Sequence, residues 1–85
     1  MKSREEMKEL LDKSQPWPGE YTFKFIVPKD QLLEAHALFG GEKTTDRQSS
    51  NGRYVGVSLT KLMKSADEVL EIYDRARLIP GLLAL

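Results

Sequence analysis

The chain has 85 residues, 13 of them Lys or Arg and 13 Asp or Glu, with 40% hydrophobic residues and no cysteine. That length holds one domain around one modest core, and the charge balance provides no overall field for polyanions, so nucleic-acid binding would need a local basic patch that does not stand out in the sequence. The missing cysteines remove disulfides, thiolate nucleophiles and cysteine metal sites together, and suit a reducing cytosol.

The amino terminus, Met1-Lys2-Ser3-Arg4-Glu5-Glu6, is charged and leads into no apolar signal core. Leu78 to Leu85 carries no charge but is far too short to span a bilayer. The expectation is a cytoplasmic protein of bacterial type that does not enter membranes. Residues 4 to 14 place Met7, Leu10 and Leu11 at helical spacing among alternating charges, which predicts a short amphipathic helix that frays or docks weakly. Gln15-Pro16-Trp17-Pro18-Gly19 then breaks any helix. Residues 1–19 therefore read as a leader and linker, and residues 20–85 as a single domain.

From Glu20 the apolar period becomes two, with Tyr21, Phe23, Phe25 and Val27 on one face and Thr22, Lys24 and Ile26 on the other. Pro28 ends this strand and suits the first turn of a helix whose apolar stripe is Leu32, Leu33, Ala35, His36 and Phe39, closed by Gly40-Gly41. Glu42 to Ser50 has no large apolar residue and fits only a sheet edge. Asn51-Gly52 is the preferred dipeptide of a type I′ turn, which predicts a hairpin into a strand with Val55, Val57 and Leu59 facing the core. On that strand Tyr54, Gly56, Ser58 and Thr60 face away.

Ser65-Ala66-Asp67-Glu68 reads as a capping box that starts a second long helix, with Ala66, Val69, Leu70, Ile72, Tyr73 and Ala76 on its buried stripe. Pro80-Gly81 precedes a last short strand, Leu82 to Leu85, whose parity the pattern does not set. The order βαββαβ predicts an α+β, ferredoxin-like sandwich: a four-stranded antiparallel sheet of order 4-1-3-2 with both helices on one face.

Pro18-x-x-Tyr21-x-Phe23-Lys24-Phe25, Ser49-Ser50-x-Gly52-x-Tyr54-x-x-Val57-Ser58 and Val69-x-x-Ile72-Tyr73 with Ile79-Pro80-Gly81 resemble, in the same order, the YbeD-like family of small bacterial proteins, a domain of unknown function. The resemblance covers roughly residues 17 to 85 and implies an ACT-like variant of the ferredoxin-like fold, similar to regulatory domains that bind amino acids. It implies no catalytic residue. ACT effector sites use a glycine-containing turn after the first strand, and here that turn is Val27-Pro28-Lys29-Asp30.

The stretch from Asn51 to Thr60 invites comparison with the RNP1 pattern of RNA-recognition motifs, but one register keeps only Gly52 and the other only Tyr54 and Val57. The first strand also sends its aromatics to the core face, away from where bases would stack. His36 is the single histidine and has no second ligand at metal spacing, so no metal site, cofactor or nucleophilic triad is expected and the chain reads as no enzyme. Trp17 between prolines reads as a plug for the end of the core.

Arg47, Ser49, Ser50, Asn51 and Arg53 around the hairpin could hold an anion, or form a solvated turn. The uncovered sheet face is the better candidate, and the candidate interaction surface is Lys24, Arg47, Ser49, Arg53, Tyr54 and Ser58. The expected function is a non-catalytic regulatory or interaction domain that binds a protein partner, a second copy of itself or a small-molecule effector. The alternative is a nucleic-acid-binding module on the same face.

Overall fold

In chain order the elements are α1 (Arg4–Ser14), β1 (Gly19–Pro28), a 3-10 turn (Lys29–Gln31) leading into α2 (Leu32–Ala37), β2 (Thr45–Gln48), β3 (Tyr54–Met63), α3 (Ala66–Ala76) and β4 (Leu83–Ala84). The structure, a computed structural model, describes residues 3–85; Met1 and Lys2, where the predicted leader begins, lie outside the described residues.

β1 and β3 pair antiparallel over their whole length, from Gly19 opposite Met63 to Pro28 opposite Tyr54. β2 adds to the outer edge of β3 and β4 to the outer edge of β1, giving an open antiparallel sheet of order β2-β3-β1-β4 within an α+β chain. This is the expected strand order, read from the other edge. The polar strand β2 is at the rim with all four residues exposed, where hydroxyls and charges also discourage pairing with another chain.

Alternation along the central strands decides where the core lies. Phe23, Phe25 and Val27 of β1 and Val55, Val57 and Met63 of β3 are buried against Ala35, Leu38 and Phe39 from the α2 region and Val69, Ile72 and Ala76 from α3. Ring centroids of Phe23 lie 5.6 Å from both Phe39 and Tyr73, so the aromatic cluster joins the sheet to both helices. Burying one such ring is worth roughly 1.5–3 kcal/mol, more than any cap or surface ion pair in the molecule.

Ser65 caps α3 as expected, its hydroxyl accepting from the Glu68 N–H at 3.2 Å, while the Glu68 carboxylate accepts from the N–H of Lys64 one residue earlier than an ideal box. Ser3 caps α1 in the same way, through Glu6. No residue of α1 is fully buried; the helix lies along α3, held by ion pairs of Arg4 with Asp74 and of Lys8 with Asp67, and by Leu11 against the core. Exposed ion pairs of this kind contribute about 0–1 kcal/mol each.

The expectations for α2 and for the hairpin need correction. Pro28 is the last residue of β1, and the helix proper starts at Leu32. The buried residues here are Ala35 within α2 and Leu38 and Phe39 in the turn after it, whereas Leu33 is 80% exposed: at about 100° per residue, Leu33 stands on the far side of the helix from Ala35. The helix ends at Ala37 with Leu38 as its C-cap, ahead of Gly40 and Gly41, which lie in the turns that follow with positive φ of 62° and 84°.

The hairpin is not a type I′ turn. Gly52 has a φ of 71°, but Asn51 does not share the left-handed region. Ser49 and Tyr54 instead close a four-residue loop through the Ser49 N–H and the Tyr54 carbonyl at 2.9 Å, and the Gly52 N–H bonds to the Ser49 carbonyl at 3.0 Å. Asn51 contributes its side-chain oxygen, which accepts from the Ser49 hydroxyl at 2.9 Å and the Arg53 N–H at 3.1 Å. An asparagine can thus favour a turn by bonding to its own backbone two residues on. Both loop geometries pair Ser49 with Tyr54, so the register of β2 on β3 is the same either way. The parity of β4, which the sequence left open, places Leu83 beside Ile26 on the open face and Ala84 beside Phe25 on the helix side; Leu82 packs on the core.

The loop chemistry predicts that Asn51→Gly and Asn51→Ala each lower stability by about 1 kcal/mol through loss of the acceptor, while Asn51→Asp keeps it. Urea unfolding of the three variants checks this, and an Asn51→Gly variant as stable as the parent would restore the type I′ turn.

Candidate functional site

Every residue on the uncovered side of the sheet follows from the register. One row across the strands is Thr45, Ser58 and Lys24, extended by Leu85, whose N–H bonds to the Lys24 carbonyl at 2.9 Å. The next row is Arg47, Gly56, Ile26 and Leu83. Opposite residues in such rows stand about 4.5–5.5 Å apart, so long side chains from neighbouring rows reach a common point.

Gly56 leaves a gap in the middle of that surface. The depression over it has a volume of ≈430 Å³, and its lining includes Lys24, Thr45, Arg47 and Ser58 together with Ile26 and Leu85. A second recess of ≈270 Å³ shares Lys24, Thr45 and Ser58 and continues to Thr22, Lys43 and Thr60. Thr22 and Thr60 bond hydroxyl to hydroxyl at 2.8 Å, and the Ser58 hydroxyl donates to the Thr45 carbonyl at 3.4 Å.

Among the described residues Arg4, Lys8, Lys61 and Arg77 pair with carboxylates; Lys24, Lys43 and Arg47 on this side make no ion pair, and neither do Lys13, Lys29, Arg53, Lys64 and Arg75 elsewhere. The one acid at an open-face position of β1, β2 or β3 is Glu20, opposite Leu62 at the far end of the sheet. It sits four residues from Lys24, about 13 Å along an extended strand.

Of the sequence-predicted surface, Lys24, Arg47 and Ser58 come together in the depression. Ser49 does not join them, because its hydroxyl donates to Asn51 and accepts the Tyr54 N–H at 3.2 Å within the loop. Arg53 belongs to a separate shallow recess with Lys29, Asp30 and Gly52, its carbonyl accepting from the Lys29 N–H at 3.0 Å. Tyr54 stands at the end of the open face opposite Pro28, 44% exposed, and is the one aromatic at an open-face position of the four strands. The cluster expected around the hairpin is therefore divided. Thr45, Lys43, Leu83 and Leu85 were missed; the hairpin register carried Thr45, but nothing in the sequence set the parity of the last strand.

His36 is on the helix side, its Nε2 2.7 Å from Asp46, which also accepts from the Thr44 hydroxyl at 2.6 Å. No hydroxyl is hydrogen-bonded to the other ring nitrogen among the described residues, so the nucleophile arm of a triad is not present there. The described residues contain no group of three His, Asp or Glu side chains placed to hold a metal, and no helix among them is long and apolar enough to cross a membrane. Trp17 is partly buried against the core, its Nε1 donating to Asp12 at 2.9 Å.

A cleft of ≈560 Å³ lies between α1 and α3, lined by Met7, Leu10 and Leu11 and floored by Tyr21 and Tyr73. The two tyrosine hydroxyls are 3.0 Å apart. Burial of Tyr73, followed by its bond to Tyr21, pushes its ionisation far above the ordinary value of 10.0. The neutral phenol is thus favoured in the folded chain, so its stability contribution is complete below pH about 10 and declines as the pH rises further, when the unfolded chain ionises first. Stability measured by urea unfolding should fall from pH about 10 upward, and Tyr73→Phe should flatten that fall; an unchanged slope would contradict the buried hydroxyl pair.

The family model for DUF493, described as proteins of unknown function, matches residues 12–83. That span holds the whole sheet except the last residue of β4, together with α2 and α3, and leaves most of α1 outside. No curated protein and no solved structure matches the chain. The family is the one to which the YbeD-like resemblance points, and the chain belongs to it: it is a member of the DUF493 family.

Proposed function

We propose that this chain is a non-catalytic regulatory or interaction domain of ACT-like, ferredoxin-like architecture, which works in the cytoplasm by binding a small metabolite or a protein partner across the open face of its sheet. The observation that carries this reading is the surface itself: an antiparallel sheet covered by helices on one side, with cations lacking carboxylate partners beside exposed aliphatic residues on the other. A solvated sheet face would serve equally well with its lysines paired and its leucines replaced by polar residues. Leu83 and Leu85, 60% and 74% exposed, are out of place on such a face.

A metabolite or partner fits this surface better than an RNA strand does, because base stacking needs aromatic platforms and Tyr54 stands alone on the face. Catalysis gains little support from His36, which is turned to the opposite side of the sheet from the unpaired cations. The absence of a glycine in the turn Val27-Pro28-Lys29-Asp30 moves the expected ligand contact away from the turn that ACT effector sites use and onto the face.

An amide-resolved NMR titration of the isotope-labelled chain with amino acids, short acidic peptides and a short RNA tests the reading. The expected outcome is a set of saturable shifts at Thr22, Lys24, Tyr54 and Ser58 that weakens only shallowly with added salt, as contact through one or two charges requires. Shifts confined to the turn after Pro28 would return the contact to the ACT-style turn, and RNA-induced shifts that vanish steeply with salt would make the face a nucleic-acid surface.

A further inference from the structure

Gly56 sits in the middle of a ten-residue central strand, where glycine weakens a sheet because it loses the most backbone freedom on folding and packs no side chain. Such a glycine ordinarily serves a bulge, a positive φ or a close approach of other atoms. None of these three reasons applies at Gly56. The ladder runs one residue to one residue on both sides of it, with Ile26 and Arg47 as its partners. Its φ is not positive. A Cβ built there would meet nothing nearer than the Arg47 carbonyl oxygen at 3.6 Å, an ordinary contact. What the missing side chain does is open the depression between Lys24, Arg47 and Ser58.

We infer that this depression is a binding site for a small oxyanion carrying a short aliphatic body, a carboxylate in the first instance, seated over Gly56. The inference rests on the reading of the open face as the binding surface and assigns it a ligand chemistry. Arg47 and Lys24 approach from different strands and neither has a carboxylate partner, so together they can hold two oxygens of one anion by charge-assisted hydrogen bonds. The Ser58 and Thr45 hydroxyls continue the row of Lys24 across β3 and β2, and Arg47 follows Thr45 two residues on in the next row. Beside Lys24, Ile26 on the same strand and Leu85 at the end of its row supply apolar surface, which accepts a few carbon atoms and gives the site a preference for an aliphatic acid over a bare inorganic anion. A volume of ≈430 Å³ is at the lower end of the range for small-molecule pockets. Glu20, the one side-chain acid at an open-face position of β1, β2 or β3, is too far along β1 to neutralise the pair.

The test uses the full chain and four probes: acetate, inorganic phosphate, 4-methylpentanoate and the neutral 4-methylpentanamide, followed through backbone amides. The expected result is saturable shifts centred on Lys24, Gly56, Val57 and Ser58, with 4-methylpentanoate binding at least ~10-fold more tightly than acetate, as burial of its extra carbons requires, and at least ~10-fold more tightly than the amide. Arg47→Gln should weaken it by on the order of 10-fold or more. Gly56→Val should abolish binding while raising Tm by roughly 2–8 °C, since a β-branched residue suits the strand better than glycine; Gly56→Ala should show the same signs at smaller size. An absence of saturable shifts with all three anions, a Gly56→Val chain that binds as before, or a Gly56→Val and Gly56→Ala pair less stable than the parent would each overturn the inference. Shifts elsewhere on the open face without Gly56, including those produced only by an acidic peptide, overturn this site and leave the broader reading standing. Shifts confined to the turn after Pro28 overturn both.

Discussion

A strand has two faces, and β1 commits one of them entirely to rings. Tyr21, Phe23 and Phe25 must leave water together, and a residue spacing of two means that Thr22, Lys24 and Ile26 then have no choice but to face the other way. The antiparallel ladder with β3 passes this constraint on, since Leu59, Val57 and Val55 stand opposite Phe23, Phe25 and Val27. A slip of one residue would bring Lys24 into the core and expose two phenylalanines. The position of every side chain discussed as a binding group is therefore a consequence of where the aromatics must go, and the core makes the register of the open face expensive to change.

Because parity is a property of the sequence, much of the architecture was legible before the structure. Alternation in β1 and β3, the emptiness of Glu42–Ser50 and the capping box at Ser65 each had one sensible placement, and together they set the strand order. The misreadings come from places where two local solutions satisfy the same residues. Asn51 can favour a turn by adopting positive φ or by bonding its side chain to the backbone, and the dipeptide alone does not choose. Leu33 and Leu38 are equally apolar, and which of them faces the sheet depends on where the helix begins, which the 3-10 turn at Lys29–Gln31 delays. The two-residue strand β4 is too short to show a period at all.

The site was legible in part for the same reason. Lys24 and Ser58 fall on the open face by parity, and Arg47 joins them once the hairpin register is known. Ser49 and Arg53 are close to these residues in sequence but not in function, because loop closure consumes the Ser49 hydroxyl and turns Arg53 toward Lys29 and Asp30. Leu83 and Leu85 supply the apolar part of the surface through β4. The helix α1 stands apart from this logic: most of it lies outside the family's matched span, it buries no residue fully, and its ion pairs with α3 leave a cleft on the other side of the molecule from the unpaired cations.

The account is tested most directly by intermolecular NOEs between the methyl groups of 4-methylpentanoate and those of the methyl-labelled chain. It predicts contacts to Ile26 and Leu85, with Leu83 next, and none to Met7, Leu10 or Leu11. Contacts in the cleft between α1 and α3, or none to Ile26 and Leu85, would contradict the claim that the open sheet face is where this protein meets its ligand.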